Sequence, residues 1–258
     1  ADQTPMSDKT PQPQVKGAPP TKQQVAKEDS KIKLLRSLGT VLMVLGILGL
    51  LLPFFNSWLL SRNSNIDLAE ISAESMAKAW DNEQPTPFDE IKEIGHTDFW
   101  PLLGQWKPED IMAELAIPDV EIDLAVFNSA SNTNLLAGVG TLLADREPDA
   151  GNFVLTGHHV RGKGVLLHNL MDAKTGQMIY LTDKNKIYVY RVIDTAQKDT
   201  DAVYMLDIDR NKAYEADSIL TIMTCYQGNV SSRWFVVAEL EATLDYTPEV
   251  WQEKVPEK

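Results

Sequence analysis

Ile219-Leu220-Thr221-Ile222-Met223-Thr224-Cys225 gives the first firm reading of this chain. It is apolar and rich in β-branched residues, the pattern of a buried strand. The only cysteine among the 258 residues closes it, at the point where a strand gives way to a loop. Strand ends are where a rigid scaffold presents reactive side chains. A second run, Asn152-Phe153-Val154-Leu155-Thr156-Gly157, ends in His158-His159, and Arg233 opens a third, Arg233–Leu244. A thiol, an imidazole and a guanidinium at three strand ends form a nucleophile, a base and an oxyanion partner for acyl chemistry.

Further β runs lie at Ile111–Ile117, Val120–Phe127, Gly138–Leu143, Met178–Leu181 and Lys186–Thr195, with turn signals between them. About eight strands with little helix predict an all-β barrel or sandwich. No Asn-Gly or Asp-Gly pair marks a tight hairpin, so longer connections are expected. Val165–Leu170 reads as one short helix, and Asp207, Asp209, Asn211 and Asp217 mark a polar loop across 201–217.

Upstream, no residue from Ser37 to Ser61 carries a charge. A helix crosses a bilayer with roughly 20 mostly apolar residues. A cleaved signal peptide would have an apolar core of about 7–15 residues followed by a small-residue cleavage site. Here the run continues into Pro53-Phe54-Phe55 and Trp58-Leu59-Leu60, which predicts an uncleaved signal anchor over 37–61. Lys22, Lys27, Lys31, Lys33 and Arg36 precede it and only Arg62 follows closely. That asymmetry puts 1–36 in the cytoplasm, 62–258 outside, and Trp58 at the outer interface. The Pro-, Gln-, Lys- and Ser-rich residues 1–30 cannot bury enough apolar surface to order.

Residues 1–36 hold seven Lys or Arg against four Asp or Glu, while the whole chain is −13 at pH 7. The exported part is therefore acidic, which argues against nucleic acid as a partner. A single cysteine excludes an internal disulfide. Beyond the anchor, Ile66, Leu68, Ile71, Met76 and Ala79 give Asn65–Trp80 a helical pattern, read as a stalk. Pro85 and Pro87 break it, and a short helix is expected around Phe88–Ile94. The expected organisation is a cytoplasmic tail 1–36, an anchor 37–61, a stalk or linker 62–100, a β domain 101–246 and a polar tail 247–258.

A thiol has a pKa of about 8.5 and reacts only as the thiolate. Cys225 is thus the candidate nucleophile, and His158 the base that takes its proton and later protonates a leaving amine. Arg233 supplies fixed N–H donors with permanent charge for a developing oxyanion. Each residue has a bland reading too: a small core cysteine, a surface histidine, a solvated arginine. Their joint placement at strand ends favours chemistry. No metal centre is expected. Adjacent His158 and His159 point to opposite faces of an extended chain, and no second Cys or H-E-x-x-H motif is present. His96 and His168 have no partner at ligand spacing.

Thr221-Ile222-Met223-Thr224-Cys225 resembles the sortase signature T-L-x-T-C, with Ile for Leu. Thr156-Gly157-His158 resembles the sortase segment that ends in the catalytic histidine, and Arg233 falls where that family places its arginine. The resemblance covers about residues 100–245 and includes the chain order His, Cys, Arg. It implies an eight-stranded sortase-type β-barrel and cysteine transpeptidation. The implied substrate is a surface protein with an LPXTG-like sorting signal, cut between Thr and Gly. The implied acceptor is an amine of the peptidoglycan cross-bridge or its lipid-linked precursor. His158, acting as general acid then base, Cys225 and Arg233 are the implied catalytic set. Thr224 is a candidate substrate contact, and His159 has no required role.

Within the family the resemblance is to class A, the housekeeping type. Pilin-type relatives carry an Asp-Pro-aromatic lid motif and a C-terminal membrane helix. Pro85-Thr86-Pro87-Phe88-Asp89 lacks that order, and Asp245–Lys258 is polar. Some sortases bind calcium through acidic loops. Glu147, Asp149 and the acids of 201–217 are acidic but lack ligand spacing, so no cofactor is required. An L,D-transpeptidase would carry His-Gly directly before its cysteine, where this chain has Met223-Thr224. A catalytically silent, membrane-anchored module that binds sorting signals is the alternative from another class.

The predicted topology is directly testable. Protease added to intact protoplasts should degrade residues 62–258 and spare the N-terminal tail, whereas a protected C-terminal domain would reverse the orientation.

Overall fold

The computed structural model describes residues 22–82, 84, 86, 99–143, 146–160, 162–226 and 229–256. The helix expected at Phe88–Ile94, the breaks at Pro85 and Pro87, and His96 lie outside the described residues. The chain divides into two compact units, 1–51 and 52–258. In the first, helix α1 (Lys22–Ser64) exposes every residue from Lys31 to Leu51. It is long and apolar enough to cross a membrane.

The second unit holds the strands β1 (Ile111–Ile117), β2 (Ile122–Phe127), β3 (Val139–Thr141), β4 (Gly151–Gly157), β5 (Met178–Thr182), β6 (Lys186–Asp199), β7 (Ser218–Tyr226) and β8 (Asn229–Asp245). They close into a barrel in the order β1-β2-β3-β4-β7-β8-β6-β5. Each β run read from the sequence is a strand. The β2–β3 and β4–β7 pairs are parallel and all the others antiparallel. Closure leaves no open edge, which removes the hazard of strand-to-strand aggregation. The β6–β8 ladder runs from Lys186↔Asp245 to Asp199↔Ser232. Its far end is polar, so hydrophobic alternation alone stops short of it.

Alternate residues of β4, β7 and β8 fill the barrel: Phe153, Leu155, Leu220, Ile222, Val236 and Ala238. The other parity is buried as well, because the 201–217 segment covers that outer face. This segment, read as a polar loop, forms two 3₁₀ helices, Val203–Leu206 and Ile208–Tyr214, with Met205 and Leu206 buried. Buried Asn152 fastens it. The amide Nδ2 donates to the carbonyls of Met205 and Asp207, both at 3.0 Å, and Oδ1 accepts from the Thr221 hydroxyl at 2.7 Å. Every polar atom of that side chain is thereby used, as burial demands. The helix expected at Val165–Leu170 is displaced to a 3₁₀ helix, His168–Asp172.

The helical pattern read at 65–80 becomes a 3₁₀ turn, Leu68–Glu70, and α2 (Ala73–Asp81). Ser72 caps α2, its hydroxyl accepting from the Ser75 N–H at 3.2 Å. Met76 and Ala79 are fully buried. Trp80 donates from Nε1 to the Met112 carbonyl at 2.8 Å and stacks on Phe153 with centroids 5.7 Å apart. Read from the sequence as a stalk, this stretch packs on the barrel. The C-terminal residues, read as a polar tail, form α4 (Pro248–Lys254), whose Trp251 clusters with Ala116, Ile187 and Val189. Between these covers β1 is buried on both faces, while α3 (Asn132–Leu135) lies against β3.

Burial of β1 traps a carboxyl. Glu114 is 8% exposed, and its Oε1 accepts from Trp251 Nε1 at 3.1 Å. Burial, then the Asp123 charge, push its pKa up to about 7 against the bond from Trp251 and the charge of Lys184. The folded value exceeds the ordinary 4.5 of a glutamate carboxyl, so the fold holds this proton more tightly than the unfolded chain. Stability from this group is full below about 4.5 and is lost as pH rises through about 7. Glu114→Gln keeps the acceptor and removes the charge. Urea melts should show the variant gaining about 3 kcal/mol relative to the parent between pH 4.5 and pH 8, and a pH-independent difference would refute the buried charge.

Candidate active site

Register brings the three chemical groups together. β4 and β7 pair in parallel through Leu155↔Ile222, Thr156↔Met223 and Gly157↔Thr224. His158 and Cys225 are the next residue on each strand. β7 and β8 pair antiparallel, with Cys225 opposite Arg233. Neighbouring strands lie about 4.8 Å apart, and residues two apart share a face. Val154, Ile219, Met223, Phe235 and Val237 belong to the outer cluster under the 201–217 segment. Stepping by twos from Val154, Met223 and Phe235 arrives at His158, Cys225 and Arg233. All three thus sit on the outer face at adjacent positions of three neighbouring strands, with His159 on the opposite parity.

The ends of β4 and β7 are tied by side chains as well as by the ladder. The Thr156 hydroxyl donates to the Met223 carbonyl at 3.3 Å, and the Thr224 hydroxyl to the Gly157 carbonyl at 2.8 Å. Thr224 is buried on the interior face and its donor is spent on Gly157, so it braces the strand ends. Gly157 is needed for packing, since a Cβ there would lie 2.8 Å from Leu167 Cδ1 and 3.0 Å from Val139 Cγ1. Leu167 in turn donates its N–H to the His158 carbonyl at 3.3 Å.

His159 bridges to Leu166 through its backbone and stacks on His168, centroids 5.1 Å apart. His168 Nδ1 is bonded to the Val160 carbonyl at 2.7 Å. Sequence reasoning passed over Leu167 and His168. The only signal for them is the apolar run that follows Gly162-Lys163-Gly164, which reads as packing and not as support for a neighbouring imidazole.

His158 is 8% exposed, and burial lowers its pKa to about 4. Its Nε2 is buried and has no hydrogen-bond partner among the described residues. An orphaned buried ring nitrogen costs stability and calls for a reason such as chemistry. The imidazole is neutral at pH 7, with a nitrogen ready to accept a proton. His159 is also held below the ordinary range, by burial first and then by His168. Cys225 and Arg233 are half-buried, and Arg233 Nη1 donates to the Ser232 carbonyl at 3.3 Å. Beside Arg233, Trp234 keeps a buried Nε1 without a hydrogen-bond partner among the described residues, and its ring lies 6.0 Å from that of Tyr226. Among the described residues, no group of three or more His, Cys, Asp or Glu is placed to hold a metal ion.

A family model described as the sortase domain matches residues 115–241. The chain belongs to the sortase family, whose members are cysteine transpeptidases built on this barrel. Among its relatives, sortase A of Listeria monocytogenes is 27% identical over 225 residues, which covers 86% of this chain and 99% of the relative. The putative sortase YwpE of Bacillus subtilis is 31% identical over 104 residues, covering 40% of this chain and 96% of the relative. The solved structure of Listeria monocytogenes sortase A superposes with a TM-score of 0.53 at 33% identity, over 58% of this chain and 99% of that one. Within the family the chain is class A-like.

Burial of His158 has a measurable sign. Its folded value of about 4 lies below the ordinary 6.5 of an imidazole, so the unfolded chain takes up a proton that the fold refuses. On account of this group stability falls as pH drops from 6.5 through 4. Glu114 acts with the opposite sign over an overlapping range, so the effect is cleanest in a Glu114→Gln background. The His158 ring resonances in NMR should titrate near pH 4, and a midpoint near 6.5 would show an imidazole open to water.

Proposed function

We propose that this chain is a membrane-anchored transpeptidase that cuts an LPXTG-like sorting signal between Thr and Gly and joins the surface protein to a peptidoglycan amine. Cys225 is the nucleophile, His158 the proton carrier and Arg233 the oxyanion partner. The observation that carries this reading is the shared outer face and adjacent register of the three. The neutral imidazole with its unpartnered Nε2 supports it further.

The reaction follows from that arrangement. His158 takes the thiol proton as Cys225 Sγ attacks the threonine carbonyl carbon. The carbonyl oxygen gains the negative charge and meets the Arg233 guanidinium, whose charge is permanent. Collapse breaks the C–N bond, and the proton on His158 passes to the departing glycine amine. A thioester remains. The amine of the cross-bridge, or of its lipid-linked precursor, attacks this carbonyl and gives a proton to His158. The Cys225 sulfur leaves and recovers that proton.

Residues 37–61 serve as the anchor, with 1–36 cytoplasmic and the barrel exported. The apolar helix and the basic residues before it support this topology. The acceptor then lies on the same side of the membrane as the barrel.

Single alanine variants of Cys225, His158 and Arg233 should each lower cleavage of a fluorogenic LPXTG peptide by about 10²-fold or more while staying folded. Acting as a unit, two losses combined should cost little more than the worse one. His159→Ala should cost far less. The pH–rate profile should be a bell whose limbs belong to the coupled thiol–imidazole pair. Peptide binding without turnover would make the protein a silent module, and loss of cleavage in His159→Ala but not His158→Ala would move the base to the other histidine.

A further inference from the structure

Within residues 52–258, the exposed rings of Phe55, Trp58 and Trp100 cluster at the surface, with exposed Phe54 next to Phe55 in sequence. Phe54, Phe55 and Trp58 lie near the end of α1, and Trp100 opens the 3₁₀ helix Trp100–Leu102 that precedes the barrel. The Phe55 ring stacks on Trp58 with centroids 6.0 Å apart and meets Trp100 edge-on at 6.4 Å. Trp58 is 55% exposed and Trp100 42%. A folded protein has strong reason to cover such rings, and an uncovered apolar cluster marks an interaction surface.

The cluster is held in shape by polar bonds behind it. Trp100 Nε1 donates to Asn56 Oδ1 at 3.0 Å. Asn63 Oδ1 accepts from the Gly104 N–H at 2.7 Å, and its Nδ2 donates to the Leu136 carbonyl at 2.8 Å. Ser57 is close behind as well: a Cβ on Gly162, where φ is +138°, would lie 3.0 Å from its hydroxyl. The indole N–H of Trp100 is satisfied while its ring faces outward. Arg62 places its guanidinium over the Trp58 ring at 5.9 Å. Aromatic rings with a cation beside them, directly after an uncharged apolar run, are the chemistry of the membrane–water interface.

We propose that this patch lies in the headgroup layer of the membrane, so that the barrel domain touches lipid through Trp100 as well as being tethered by the chain. The proposal rests on the anchor reading above and adds to it a lipid contact from outside α1. Water is the poorer partner for the exposed ring faces, and Phe54, Phe55 and Trp58 form the end of the uncharged run Ser37–Ser61 itself. The two asparagines fix the turn carrying Trp100 to the end of α1, so its ring cannot retreat without breaking their bonds.

The full chain reconstituted in phosphatidylcholine–phosphatidylglycerol nanodiscs tests this by tryptophan quenching. Subtracting the emission of Trp100→Phe from that of the parent isolates Trp100, and Trp58→Phe isolates Trp58 in the same way. Circular dichroism of each variant checks that the fold is kept. Lipids brominated near the headgroup should quench both difference signals, and aqueous iodide should quench neither strongly. Quenching of Trp58 alone by lipid, with Trp100 open to iodide, would overturn the lipid contact and leave the anchor intact. Both signals open to iodide and untouched by brominated lipid would overturn the anchor as well.

Discussion

The parallel ladder between β4 and β7 is the constraint on which the site depends. Parallel strands cannot be joined by a tight turn, so the chain must leave β4 and return by a long crossover. Thr156 and Met223, bonded across this ladder, are 67 residues apart in sequence. Between them, Leu166, Leu167 and His168 brace the end of β4, β5 and β6 close the barrel, and the 201–217 segment covers the outer face before β7 begins. Only when this circuit is complete do His158 and Cys225 stand side by side. Arg233 needs no such circuit, since β8 folds straight back along β7.

Strand positions were legible because each β run alternates or is wholly apolar, and that pattern depends on neighbours two residues away. The three candidate residues were legible for the same reason: each terminates or opens such a run. What the sequence could not carry was the partner across a gap in the chain. Asn152 looks like an ordinary strand-start polar residue until its amide is seen holding Met205 and Asp207. The period of 65–80 was helical, yet nothing local says that Met76 and Trp80 face a barrel. Thr224 was read as a substrate contact from its adjacency to the thiol. Strand alternation sends adjacent residues to opposite faces, so Thr224 faces inward where Cys225 faces out.

Glu114 and His158, two buried titratable groups, differ in how the fold compensates them. Glu114 receives a hydrogen bond from Trp251 and feels a distant lysine, so its burial is partly offset. His158 receives no such help among the described residues, and its ring stays neutral because water is kept from it. A dry site strengthens every charge interaction that later forms in it. An oxyanion facing Arg233 would therefore be stabilised more than on an open surface. The cost is borne by the fold as an unsatisfied nitrogen, the kind of local inconsistency that proteins retain at functional positions.

Parity along the strands also determines where this chain can tolerate insertion or deletion. One residue added within β7 before Cys225 would turn its thiol from the outer face into the barrel, as a one-residue slip turns every side chain of a strand. The same holds for β4 before His158. Loops obey no such rule, because the register of the flanking strands is fixed independently of what joins them. Length variation in natural or engineered relatives should therefore collect between strands. Strand lengths up to His158 and Cys225 should stay constant or change by two. The geometry that assembles the site thus also sets its grammar of permissible change.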